Sequence, residues 1–184
     1  MDLILGITLA TVAAISWGFG ASFVGIATRE RRSALSGYLI DRVTSFILSF
    51  LYLLIIGERF TIPSENALYA IGTGLVGSTG LLFYYLAIKK IGAPKATVIS
   101  SSRPLLAAFS AVLFLQENIT VQIIAGTMLI MLGVYWAFKE KIEKTNDVGL
   151  KSGNIHALTA AVFFGLYPIF IRKSIDGLDS IATP

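Results

Sequence analysis

Six apolar runs of membrane-spanning length dictate what this chain can fold into. Leu3–Thr28 carries no charge, Leu35–Gly57 contains only Asp41 and Arg42, and Asn66–Ile88 has none. Ala96–Leu115 contains Arg103 alone, Ile119–Phe138 has no charge, and Gly153–Ile171 has only His156. A helix rises about 1.5 Å per residue, so about 20 apolar residues cross the roughly 30 Å hydrocarbon layer. The expected fold is therefore an all-α integral membrane protein, a bundle of six transmembrane helices. A content of 55% hydrophobic and 14% charged residues fits that class and disfavours a soluble domain. So does the mean hydropathy of +0.76.

The formal charge of +4 does not point to nucleic acid. Most Lys and Arg sit in short connections: Arg29, Arg31 and Arg32; Lys89, Lys90 and Lys95; Lys139, Lys141, Lys144 and Lys151. A nucleic-acid groove needs clustered basic charge with interleaved polar side chains, which is absent. Flanking cations of this kind anchor topology instead. The connections after spans one, three and five hold these cations, against Arg59, Arg172 and Lys173 on the other side. That bias expects the first side in the cytoplasm and the N-terminus outside. With no cysteine, neither disulfides nor thiol chemistry can be argued. The first apolar run lacks a basic leader and is too long for an ordinary signal peptide, so it is expected to stay in the protein.

The chain also begins to repeat itself. Ala13-Ala14-Ile15-Ser16-Trp17-Gly18-Phe19 returns loosely as Ala160-Ala161-Val162-Phe163-Phe164-Gly165-Leu166, with position 13 set against 160. The organisation expected is a five-helix repeat over 1–138, an inter-repeat loop over 139–152, and the incomplete start of a second repeat over 153–184. Carriers often place their substrate site between two such units near the bilayer midplane. Glycines in span three (Gly72, Gly74, Gly77, Gly80) and span five (Gly126, Gly133) suit close helix packing. Tyr52, Tyr135 and Trp136 suit the interfacial belt.

Three charges lie inside spans, where an ionisable group is costly unless it faces a cavity or a partner. Arg103 is about 15 Å into its span, close to the midplane. Pro104 follows it and cannot donate to the Ser100 carbonyl, while Ser100, Ser101 and Ser102 precede it and can satisfy freed backbone groups. A Ser-rich, Pro-broken segment with a midplane cation has the pattern of a discontinuous helix at a carrier site. Asp41 is about 9 Å into span two, leaving a depth difference of about 6 Å that an arginine can bridge. Tyr38, Asp41, Ser45, Ser49 and Tyr52 form a polar stripe on one helix face, expected to look into the bundle. Asp41 can clamp Arg103 or Arg42 structurally. Alternatively, one Asp against two Arg leaves a positive interior that welcomes an anionic substrate group, with Arg103 as anchor. A proton relay through Asp41 is the third reading. His156 near the start of span six is read as an interface residue.

No metal cluster, nucleophile–base pair, paired-carboxylate pattern or phosphate loop is visible, so no cofactor, catalysis or ATP-driven pumping is expected. Gly18 and Gly20 lack the third matched glycine of a nucleotide site.

The ordered marks resemble the drug/metabolite transporter superfamily, specifically its EamA-type branch. They are Trp17-Gly18 in span one, Arg42 near the start of span two, and Tyr84-Tyr85-Leu86-Ala87-Ile88-Lys89 closing span three. Pro104 after the Ser run, Leu115-Gln116-Glu117-Asn118-Ile119-Thr120 at the span-four exit, and Gly126 with Gly133 complete the series. The resemblance covers residues 8–138, and 153–173 resembles the start of the second repeat. It implies a ten-helix plasma-membrane permease of two inverted repeats, moving small metabolites such as amino acids by alternating access. It also implies a cavity at Trp17, Arg42, Tyr84 and the neighbourhood of Pro104.

Arg103 departs from the small or apolar residue usual before that proline. The family usually starts in the cytoplasm, against the charge bias here. Span one also lacks the acidic residue of the small four-helix multidrug antiporters. The expected function is secondary transport of a small polar or anionic metabolite, amino-acid-like substrate or drug, through Arg103, Asp41, Arg42, Trp17, Tyr84 and Ser101. The alternative is a truncated or partner-dependent membrane subunit without transport of its own. Expected partners are the lipid bilayer, a small-molecule substrate, and either a missing C-terminal half or a dimer partner; a dimer would need oppositely inserted copies, against the charge bias.

Overall fold

The computed structural model describes residues 3–29, 33–56, 63–115, 120–139 and 148–176. Arg31, Arg32, Arg59, Lys141, Lys144, Gln116-Glu117-Asn118 and 177–184 lie outside the described residues, as do the side chains of Arg29, Tyr135 and Lys139.

Every described element is a helix: α1 (Leu3–Arg29), α2 (Ala34–Ile56), α3 (Ser64–Ile91), α4 (Ala93–Ser100), α5 (Arg103–Leu115), α6 (Val121–Lys139) and α7 (Val148–Ile175). Five spans among the described residues are long and apolar enough to cross a membrane, with α4 and α5 together making one of them. The sequence led us to expect six. The sixth expected span corresponds to α6 (Val121–Lys139), in which the described residues give the shorter apolar stretch Val121–Gly133. The last helix starts at Val148, within the stretch read as inter-repeat loop. The protein is a multi-pass membrane protein.

The packing centre is the antiparallel pair α3 and α7. Small residues on α3 let the α7 aromatics approach its backbone: a Cβ on Gly72 would lie 2.6 Å from the Phe170 ring, and one on Gly77 2.9 Å from the Tyr167 ring. At one end Asn66 donates to the carbonyls of Asp176 (2.7 Å) and Ser174 (3.4 Å), closing the last turn of α7. At the other end Lys90 reaches the Ser152 hydroxyl at 2.6 Å. The core joins Leu81, Tyr84, Tyr85, Ala87 and Ile88 of α3 to Ala96 of α4 and to Ala157 and Ala160 of α7. Gly92, at φ +80°, makes the reversal between α3 and α4 that a side chain would strain.

Helices α1 and α2 cover the rest thinly. Tyr38, Asp41 and Ser45 are half-buried, but Ser49 and Tyr52 are exposed, so only the first half of the expected polar stripe looks inward. The bundle reaches Gly37 through Tyr85, while residues 46–55 on the far half of α2 are exposed. One register comparison stands out. Helix α7 buries Gly153, Ala157, Ala160, Ala161 and Gly165, whereas Ala10, Ala13, Ala14 and Gly18, which occupy four of the same repeat positions in α1, are exposed.

Candidate functional site

The site is built around an interrupted helix. Pro104 supplies no N–H, and the helical run stops at Ser100 and restarts at Arg103. The turn between them is tightened by Ser101 N–H to Thr97 O (2.9 Å), Ser102 N–H to Ile99 O (3.2 Å) and Leu105 N–H to Ser102 O (3.1 Å). The Ser101 hydroxyl donates to Thr97 O and the Ser102 hydroxyl to Ile99 O, both at 2.8 Å. The serine hydroxyls therefore add a second donor to carbonyls that already take a backbone N–H at the turn.

Arg103 stands at the first position of α5. Its guanidinium lies 5.6 Å from the Trp17 ring centroid and 5.8 Å from that of Phe164. Cation–π contacts of this kind contribute about 0.5–2 kcal/mol each, more where water is excluded. The two rings meet edge to face at 5.9 Å, and Tyr84 stacks on Trp17 at 6.1 Å. Tyr84 is only 3% exposed, and its hydroxyl shares a hydrogen with Thr97 Oγ1 at 2.6 Å.

Of the two clamps open to Asp41, the one with Arg42 forms and the bridge to Arg103 does not. Asp41 Oδ2 is taken by its own neighbour, accepting from Arg42 Nε at 3.1 Å and Nη2 at 2.5 Å. Arg42 also lies over the Tyr38 ring at 6.0 Å. Matching depth along two helices did not suffice, because the carboxylate turns to the cation on the next residue. Among the described residues, no carboxylate lies within ion-pair distance of Arg103 and no acceptor takes its N–H groups.

Three cavities meet at Trp17, which is 40% exposed. One of about 530 Å³ is bounded by Trp17, Arg42, Arg103, Pro104, Phe164 and Tyr167 among others. A second, about 780 Å³, opens between α1, α2 and α3 beside Asp41, Arg42, Tyr84 and Tyr85. The third, about 30 Å³, is lined by Trp17, Tyr84, Thr97, Ser100, Ser101, Arg103 and Phe164. Each of the six residues singled out from the sequence borders at least one of these spaces. Ser101 does so with its hydroxyl already spent on Thr97. His156 sits elsewhere, its ring 5.7 Å from Phe83 near the Lys90 end of the bundle.

Sequence reasoning missed Phe164, Thr97, Tyr85 and Tyr167 as wall residues. Phe164 had a readable signal, since it is the repeat counterpart of Trp17. Thr97 had none beyond its place one turn before the serine run.

Comparison with known proteins gives the following. The sequence model described as the EamA-like transporter family matches residues 4–139. An uncharacterized transporter of Clostridium kluyveri is 28% identical over 79% of this chain and 47% of its own length. An uncharacterized protein of Methanocaldococcus jannaschii is 26% identical over 70% of this chain and 92% of its own length. A putative sugar uptake protein of Bacillus anthracis is 26% identical over 96% of this chain and 63% of its own. The chain thus spans about half the length of the first of these relatives. No solved structure matches.

Proposed function

Because the chain belongs to the EamA-like transporter family, we propose that it serves secondary transport of a small polar or anionic metabolite across the plasma membrane, without ATP and by alternating access. The observation that carries this reading is Arg103, a cation inside the bundle with no carboxylate and no acceptor for its N–H groups among the described residues. A guanidinium so placed is costly unless something supplies acceptors. A substrate carboxylate reaching it through the 530 Å³ cavity fits both the planar donor fork and the charge. Arg42 borders the same cavity but is already neutralised by Asp41. Amino-acid-like substrates and organic-acid drugs meet these requirements.

We place this unit within a carrier of two inverted repeats. The support is the α1 face: it shows to the outside the small residues that its repeat counterpart α7 buries against α3 and α5. A second unit laying equivalent helices on Ala10, Ala13, Ala14 and Gly18 would complete the wall around Trp17. On this view the partner-dependent alternative and the carrier reading converge, since the site needs a second unit to close it.

A neutral carbohydrate is the second substrate reading. Its support is the printed name of the Bacillus relative and the aromatic wall of Trp17, Phe164 and Tyr167.

The test is a thermal-shift screen of the detergent-purified chain against amino acids, organic acids and sugars, with Arg103→Ala in parallel. A ligand that binds the folded state raises the melting point by mass action. The reading expects a carboxylate-dependent rise that the variant loses. A rise with sugars alone, retained by Arg103→Ala, would replace it with the carbohydrate reading. Equal carboxylate shifts in both proteins would remove Arg103 from the site.

A further inference from the structure

Behind Arg103, on the side of the serine turn, lies the small pocket of about 30 Å³. A cavity needs about 10–15 Å³ to hold one water, so this space admits one or two water-sized atoms and no organic acid. Its chemistry is one-sided. The Arg103 guanidinium contributes a full positive charge, and none of the residues lining the pocket carries a carboxylate. The Tyr84 and Thr97 hydroxyls share one hydrogen bond, so whichever donates, the other hydroxyl keeps a free proton. Ser100 is 4% exposed and its hydroxyl points to Ala157 O at 3.4 Å. Ser101 donates to Thr97 O. The free side-chain groups around this space are thus donors with a positive charge among them, which favours an anion over sodium or hydronium.

We infer that this pocket is a halide site: a chloride-sized anion held by the Arg103 guanidinium and the spare hydroxyl proton of the Tyr84–Thr97 pair, as resident counter-ion of the transport site. The inference rests on the proposed function for its consequence. Arg103 borders both the small pocket and the 530 Å³ cavity, so its N–H groups divide between a halide on one side and a substrate anion on the other. Halide and substrate then modulate each other's affinity through one guanidinium. The two rings over Arg103 leave its N–H edge for these partners.

The test measures the melting temperature of the purified full chain in sodium chloride, sodium bromide and sodium methanesulfonate at equal ionic strength. Methanesulfonate is too large for the pocket but small enough for the main cavity. The expected result is a saturable rise of about 4 °C in chloride and bromide over methanesulfonate. Arg103→Gln should abolish the rise and Arg103→Lys should keep part of it. Chloride NMR line broadening on the unsubstituted chain, reversed by bromide, gives the same answer without any variant.

Identical melting in all three salts with no excess broadening would overturn the site and leave a water in the pocket. So would a halide effect that survives Arg103→Gln, which would place the ion elsewhere. Carboxylates that stabilise where halides do not would overturn the halide site while leaving the proposed function standing. Halides that stabilise where carboxylates do not would uphold the site and reject the anionic substrate.

Discussion

Trp17 of α1 and Phe164 of α7, matched by the loose recurrence of sequence, meet edge to face at 5.9 Å and 83°, with the Arg103 guanidinium over both rings. The contact joins α1 to α7. It places the Arg103 guanidinium at the seam between them. Edge-to-face pairs contribute about 0.5–1.5 kcal/mol beyond the area they bury, so the seam is held as much by aromatic geometry as by shape.

Trp17→Ala removes the stack on Tyr84, the edge contact with Phe164 and the face beneath Arg103. The expected cost is about 2 kcal/mol of stability, together with loss of the ligand-induced melting shift. Trp17→Phe should keep most of both. In a Trp136→Phe background Trp17 is the sole indole, so its fluorescence should change on ligand addition. A flat response would separate Trp17 from the binding cavity.

Gly165 and Gly18 are repeat counterparts with opposite surroundings. A Cβ on Gly165 would lie 2.5 Å from Leu106 Cβ and 3.2 Å from the Ala107 backbone, whereas one on Gly18 meets nothing within 4 Å. Gly165→Ala should therefore destabilise by about 1–3 kcal/mol. Gly18→Ala should stabilise by up to about 1 kcal/mol through helix propensity. Denaturation of the two variants in the same detergent checks the pair. If a second unit is added and packs on α1, Gly18→Ala should turn costly.

Asp41→Asn leaves Arg42 without its ion pair and adds a positive charge beside the main cavities. Affinity for an anionic ligand should rise, by about 3- to 10-fold for a gain near 1 kcal/mol at a partly screened site. A proton-relay role for Asp41 has the opposite outcome, with substrate-driven proton movement abolished in proteoliposomes. Titration calorimetry with the best carboxylate and a pH-dye flux assay decide between them.

Asn66→Ala removes the donors that close the last turn of α7 at Ser174 and Asp176. The expected loss is about 1–2 kcal/mol. Amide exchange should quicken over residues 170–176 while α3 stays protected. Uniform quickening across both helices would show instead that Asn66 supports the whole α3–α7 pair.

Much of the site was legible before any coordinates. Apolar runs set the membrane class, and Pro104 with Ser100, Ser101 and Ser102 located the break between α4 and α5 to within a residue or two. The positions of Arg103 and Asp41 along their helices could be counted, because rise along a helix is a property of the backbone and depends on no neighbour. Rotation about each helix axis does depend on neighbours. The α7 aromatics settle onto Gly72, Gly77 and Gly80, and that packing decides which face of α7 presents Phe164 to Arg103. Asp41 turning to Arg42 rather than Arg103, and the exposure of Ser49 and Tyr52 along an otherwise coherent stripe, are decided the same way. The sequence by itself determined which charged groups lie within apolar helices and where the backbone breaks. Only tertiary packing decided which charges find partners, since that is a property of several helices at once.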